Sequence, residues 1–281
     1  KHIDSLDDKI LTLLSERAEI ASKIGKIKAK NGSDVFASGR EREILDRLIS
    51  KNKGLLSDDS IEDIFQTVFA TCRSIQKQLD VAFFGPEATF PHQVAIKYFG
   101  RNAKFIPVPS IKDVFSEVER KRADYGVVPI ENSTEGIVNH TLDMFMESDL
   151  VITAEKEERI SQNLLSTSGD IKKIKRVYSH YQALAQCRKW LDVHLPRVSI
   201  HESASTSDAA VQATLDSTSA AISSLLAAQI YHLKPVALGI EDSPENSTRF
   251  LVVGRHTSPK TGKDKTSIMF SVKDKVGALV H

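Results

Sequence analysis

Along the first 80 residues, apolar side chains recur at three- and four-residue steps. Ile3, Leu6, Ile10, Leu13, Leu14, Ile20, Ile24 and Ile27 form one series. Ile44, Leu45, Leu48 and Ile49 form a second, and Ile61, Ile64, Phe65, Val68, Phe69, Cys72, Ile75 and Leu79 a third. That period is the mark of helices with one buried stripe. Asn31-Gly32-Ser33 closes the first series, and Lys53-Gly54 with Ser57-Asp58-Asp59 parts the second from the third, as helix stops and N-caps do. The first helix would run about 26 residues, or about 39 Å at about 1.5 Å per residue. Two shorter helices cannot cover such a rod. The pattern therefore predicts an all-α unit over residues 1–79, completed by a second copy as an intertwined homodimer.

Past residue 80 the pattern changes. Short apolar runs such as Val81-Ala82-Phe83-Phe84, Tyr125-Gly126-Val127-Val128 and Ala220-Ala221-Ile222 read as buried parallel strands. Polar turns and helical stretches come after them, giving an α/β domain over 80–255. Residues 256–265 are a polar linker with Pro259 and Gly262, and Ser267–Val272 within 266–281 reads as one further strand. Sixteen residues do not make a domain, so the chain is expected to be cut short there.

Composition sharpens the boundary. All nine prolines lie at or after Pro86, which sets the helical stretch apart from the rest of the chain. A net charge of +1 is not hiding a charged half, since residues 1–80 carry 14 basic and 14 acidic side chains. Nothing there draws the chain to nucleic acid or an anionic membrane. Cys72 and Cys187 cannot staple a chain of 281 residues and read as free thiols in a reducing compartment. With no apolar run near the ~20 residues of a membrane span, the expectation is a cytoplasmic protein.

On the first helix Arg17, Ala21, Ile24 and Lys28 share one line. The two cations lie about 16 Å apart along the axis and could enclose a compact dianion over the small residues between them; two solvated charges are the alternative. Leu14-Ser15-Glu16-Arg17, Gly25-Lys26-Ile27-Lys28 and Arg40-Glu41-Arg42-Glu43-Ile44-Leu45 resemble the all-helical chorismate mutase family. The resemblance implies a site of Arg17, Lys28, Arg40, Glu41 and Gln76. Lys28 and Gln76 would serve the ether oxygen of chorismate, and Glu41 its hydroxyl. A pericyclic rearrangement requires no nucleophile or metal; it requires a folded dicarboxylate held among donors. Two positions depart from the family: Ala37 stands where an Asp is usual, and the Arg that the partner helix contributes would fall before Lys1.

Four polar turns follow apolar runs in the α/β region: Gly85–Pro91, with Thr89 as N-cap; Glu131–Gly136; Ser179-His180; and Ser203–Ser207. Such turns offer free amides at helix N-termini, and together they predict a cleft for a small carboxylate. Gly85–Phe90, Pro129–Ser133, Ser179–Ala183 and Asn246–Phe250 resemble the four signatures of the prephenate dehydratase family, with Ala88 for the usual Gly and Tyr181 for the usual Pro. The resemblance implies substrate positions Glu131, Asn132, Ser179 and Gln186, with Thr248 polarising the departing hydroxyl. A proton would come from water or a neighbour such as Glu131. Arg249 is open between a substrate carboxylate and a structural salt bridge, and His180 reads better as a capping or otherwise satisfied histidine than as an acid. The family also implies two α/β lobes of the type II periplasmic-binding-protein kind, crossed near residues 155 and 240. Ile268 to Leu279 resembles the start of an ACT regulatory domain, which implies phenylalanine as feedback effector.

The expectation is a bifunctional enzyme taking chorismate through prephenate to phenylpyruvate in phenylalanine biosynthesis, without cofactor or metal. Two alternatives stay open. One is a dehydratase carrying a catalytically weak, mutase-like dimerisation module; the other is a non-enzymatic small-carboxylate binder.

Overall fold

The structure is a computed structural model describing residues 1–31, 36, 38–243, 245–257, 262 and 264–268. Ala37 and most of the stretch likened to an ACT domain lie outside these residues. Helix α1 (His2–Lys30) has 29 residues, about 43 Å of rod. The shorter α2 (Ser38–Lys51) and α3 (Asp58–Gln76) come next. Ser57 starts α3 by accepting the Ser60 amide at 3.2 Å, satisfying one of the free donors at a helix start.

Only Ala21 and Gly25 of α1 are buried. The sequence set Ile24 on the line from Arg17 to Lys28, but Ile24 is 44% exposed and Gly25 takes its place. A Cβ on Gly25 would lie 2.8 Å from the Gln76 Cβ. The missing side chain is what lets α1 and α3 approach this closely. Ile3, Ile10, Leu11, Leu13, Ile20 and Ile27 stay more than half exposed along the rest of the rod.

The α/β region holds two sheets. The first lobe comprises β1 (Asp80–Phe84), α4 (Phe90–Phe99), β2 (Lys104–Val108), α5 (Ile111–Glu119), β3 (Tyr125–Asn132), β4 (Gly136–Ile137), α6 (Asn139–Glu147) and β5 (Val151–Arg159). The second comprises β6 (Asn163–Ser166), β7 (Arg176–Ser179), α7 (Tyr181–Gln186), α8 (Arg188–His194), β8 (Ser199–Glu202), α9 (Thr206–Thr214), β9 (Ser219–Ser223), α10 (Leu225–Ile230) and β10 (Lys234–Ala237). The chain then returns to the first sheet as β11 (Ser247–Gly254). The orders are β2-β1-β3-β11-β5, with β4 on β3, and β10-β6-β9-β7-β8.

Each sheet is covered on both faces. Phe115, Val114 and Val118 of α5 pack on one face of the first sheet, and Val94, Ala95 and Phe99 of α4 on the other. Ala183 of α7 and Leu191 of α8 cover one face of the second sheet, and the alanines of α9 and α10 the other. Two apolar faces per strand are why these strands read as unbroken apolar runs. The parallel expectation holds for β1 with its neighbours and for β7 with β8 and β9. β11 is antiparallel to β3 and β5, because it re-enters between them from the other lobe, starting at the end where β3 and β5 finish.

The first crossing lies at 160–162 rather than near 155, since β5 stays paired with β11 to Arg159. The two crossing strands run side by side: the Ile160 amide donates to the Asn246 carbonyl at 2.8 Å and the Ile240 amide to the Gln162 carbonyl at 2.9 Å. The helical and α/β units meet at Arg73, which is 4% exposed. Its guanidinium donates to the Phe99 carbonyl at 3.0 Å, pairs with Glu41, and lies 4.7 Å above the Phe36 ring.

Candidate active site

The carboxyl-end edge of the first sheet carries a continuous polar network. Thr248 faces Asn132 in the β11–β3 register, which brings their side chains together on one face. The Asn132 amide donates to the Thr248 hydroxyl at 2.7 Å, to Asn246 Oδ1 at 3.0 Å and to the Ser247 carbonyl at 3.2 Å. Its Oδ1 accepts from the Thr134 amide at 3.0 Å, the Thr134 hydroxyl at 2.6 Å and the Glu135 amide at 3.1 Å. An asparagine used this fully has one orientation. It binds an oxygen lone pair of Thr248 and leaves that hydroxyl's own proton to point elsewhere. Asn246, 2% exposed, donates in turn to Gln186 Oε1 at 3.1 Å, which also accepts from Gln162 at 3.2 Å. Thr248, Asn132 and Gln186, three of the expected positions, thus belong to one network.

Other expected positions do not join it. Glu131 and Arg249 also face each other in register, one residue along from Asn132 and Thr248, so they leave the sheet on its opposite face. Arg249 pairs there with Glu131 and, at 3.0 Å, with Glu155, which Lys265 also holds. Arg249, first of all, and then Lys265 keep the Glu155 carboxyl below its ordinary range. Of the two roles open for Arg249 the structure shows the salt bridge, and Glu131 stands too far round the sheet to hand Thr248 a proton. Ser179 is fully buried and donates to the Ile222 carbonyl at 2.7 Å, tying β7 to β9.

The turns differ among themselves. Thr89 sits at the N-cap of α4 without capping it, donating instead to the Pro86 carbonyl at 2.8 Å. Ala88, where glycine was expected, has φ +65°. That left-handed turn is held because the Ala88 amide donates to His92 Nδ1 at 3.1 Å and its carbonyl accepts from Ser224 of the second lobe at 2.9 Å. Burial against Phe83 lowers the His92 pKa, and Glu87 opposes this more weakly. Glu131–Gly136 is no helix cap: β3 runs on to Asn132, and the turn joins it to β4. His180 occupies the N-cap of α7, its ring against Tyr181 and with no side-chain cap bond.

In the helical unit, Arg17 and Gln76 line the seam between α1 and α3. Arg17 donates to Cys72 Sγ at 2.7 Å and lies 5.3 Å from the Phe69 ring centroid. Gln76, one turn beyond Cys72, packs on Gly25 with its Oε1 buried and without a hydrogen-bond partner. Lys28 continues the Arg17–Ala21–Gly25 line by helical spacing. Arg40 and Glu41 lie on α2, and both are held in ion pairs. Arg40 is exposed and pairs with Glu43 at 2.8 Å, while Glu41 is taken by Arg73.

Residues 1–77 match the family described as chorismate mutase type II, and residues 81–258 that described as prephenate dehydratase. The bifunctional chorismate mutase/prephenate dehydratase of Aquifex aeolicus (strain VF5) is 47% identical over 283 residues, covering 99% of this chain and 78% of that protein. The protein of the same name from Escherichia coli (strain K12) is 33% identical, with the same shares covered. The chain belongs to the bifunctional chorismate mutase/prephenate dehydratase family. It is therefore an enzyme of phenylalanine biosynthesis with both activities. Among solved structures, prephenate dehydratase from Arthrobacter aurescens in complex with L-Phe superposes with a TM-score of 0.60 at 33% identity, covering 66% of this chain and 63% of that one. Prephenate dehydratase from Staphylococcus aureus subsp. aureus Mu50 gives 0.57 at 30% identity, covering 63% and 67%.

Within this mutase–dehydratase, three residues beside Asn132 and Thr248 were not among the expected positions: Asn246, Gln162 and Glu158. Asn246 opened the Asn-Ser-Thr-Arg-Phe motif, two residues ahead of Thr248, and that even spacing was its signal. Gln162 carried none: it is buried by the chain crossing, which local pattern does not reveal. Glu158 faces Thr248 across the β11–β5 register. It shares that face with Gln93, which donates to it at 2.7 Å, and with Lys97.

Proposed function

We propose that prephenate loses its ring hydroxyl and ring carboxylate at Thr248, and that chorismate rearranges to prephenate along the α1–α3 seam. The observation that carries the first half is the 2.7 Å hydrogen bond from Asn132 to the Thr248 oxygen. With that lone pair engaged, the Thr248 proton is the group free to reach a substrate hydroxyl. A threonine hydroxyl is too weak an acid to give its proton up, so Thr248 polarises the leaving group. The proton that departs with hydroxide as water comes from solvent in the cleft, Glu131 being on the other face. Loss of carbon dioxide supplies the electron pair that completes the aromatic ring, and phenylpyruvate remains. Gln186 and Asn246 hold Asn132 in place, and Thr89 lies in the neighbouring turn.

For the mutase, Arg17 holds a substrate carboxylate, and Lys28 and Gln76, the latter donating through its amide nitrogen, serve the ether oxygen; the half-buried place of Gln76 against Gly25 in the α1–α3 seam supports this reading. The exposed apolar rod of α1 supports a second copy completing the unit. The engagement of Glu41 by Arg73 favours a second reading, in which the helical unit chiefly dimerises and turns over chorismate weakly. Phenylalanine as feedback effector is supported by the relative solved in complex with L-Phe.

The two sites are separable. Lys28→Ala is expected to abolish prephenate formation from chorismate and spare turnover of added prephenate, and Asn132→Ala to do the reverse. Loss of both activities in either variant contradicts the assignment. A wild-type chain that forms prephenate only slowly, with Lys28→Ala no slower, selects the second reading.

A further inference from the structure

Helix α7 of the second lobe reaches the first lobe with two side chains. Gln182 and Gln186 are four residues apart and so lie on one face. Gln186 accepts from Asn246 at 3.1 Å, and Asn246 Oδ1 accepts from Asn132. Gln182 donates to the Glu135 carboxylate, in the turn after β3. The Glu135 amide donates to Asn132 Oδ1 at 3.1 Å. Both arms therefore end on the two halves of one amide, the one that orients the Thr248 hydroxyl.

The arms differ in where they start. Asn246 lies just before β11, on the segment that crosses between lobes, so the Gln186 arm stays close to the crossing. Glu135 belongs to the first lobe and Gln182 to the second, and their bond spans the cleft. A second bond, from the Ser224 hydroxyl to the Ala88 carbonyl at 2.9 Å, crosses it elsewhere.

We propose that Gln182 and Glu135 are a pair of positioning residues for the dehydratase reaction: their bond across the cleft sets the turn that fixes Asn132, and so aims Thr248 only when the lobes are together. This rests on the dehydratase site lying at Thr248. The pair acts through Asn132, and closure of the lobes becomes a condition for the chemical step.

The test is steady-state turnover of prephenate by the full chain. Gln182→Ala and Glu135→Ala are each expected to lower kcat about tenfold, a misplacement effect, with KM within about twofold. The double alanine variant should be no slower than either single one, as for two ends of one interaction. The exchange Glu135→Gln/Gln182→Glu, which reverses donor and acceptor, should recover most of the rate. Chorismate turnover measured alongside confirms that each variant is folded. Single variants with wild-type kcat, additive losses in the double variant, or no recovery in the exchange variant overturn the proposal. Thr248→Ala separates the two levels. If it keeps full dehydratase activity, the site assignment itself has failed; if it loses activity while Gln182→Ala does not, only this inference has.

Discussion

At Thr248 the chemistry comes down to one proton on a hydroxyl whose oxygen is already bonded. Thr248→Ala is expected to lower prephenate turnover about 10²–10³-fold, the size of losing one preorganised donor. Thr248→Ser, which keeps the hydroxyl, should retain a measurable part of it in the same assay. His92 gives a pH prediction. Burial lowers its folded-state pKa from 6.5, so folding favours the neutral ring that accepts from Ala88. Its share of stability is complete above about 6.5 and is lost as pH falls through the lower folded value. Melting temperatures between pH 5 and 8 should fall toward acid more steeply in the wild type than in His92→Phe; equal slopes contradict this role. At this scale the motifs were readable for Asn132 and Thr248, which face each other across β3 and β11. Glu131 and Arg249 sit in the same motifs, but strand alternation sends them to the other face, which motif matching ignores.

Helices and strands were legible wherever one period ran long enough. The α1 and α3 stripes and the apolar runs of β1, β3 and β9 all became elements near their expected places. What local pattern lacked was partner information: that Gly25 rather than Ile24 faces α3, that β3 continues through Asn132, and that β11 returns antiparallel. Two glycines test the packing. Gly25→Ala puts a methyl 2.8 Å from the Gln76 Cβ, and is expected to lower chorismate turnover while sparing that of prephenate. Gly100 caps α4 at φ +83°, where a Cβ would come within 2.2 Å of the Ala70 Cβ. Gly100→Ala should therefore destabilise the chain by more than about 1 kcal/mol in urea denaturation. Unchanged stability contradicts the close approach of α3 and α4.

For the whole molecule, the helical unit leaves most of α1 uncovered while each α/β sheet is covered on both faces. A second copy is the expected cover. Ile10→Lys, in the middle of the exposed stripe, should convert a sedimenting dimer to monomer and take the mutase activity with it; a wild-type chain that sediments as a monomer contradicts the dimer. Among the described residues no helix is long and apolar enough to cross a membrane. An α/β domain was readable from the alternation of apolar runs and polar turns and its two lobes were implied by the family resemblance, whereas the pairing of side chains across the lobes depends on contacts far apart in the chain. The most direct test of Thr248 as the site of dehydration is a time course from chorismate with purified wild type and Thr248→Ala. The wild type should pass through prephenate to phenylpyruvate, and the variant should stop at prephenate. Phenylpyruvate appearing at the wild-type rate from Thr248→Ala would contradict the assignment.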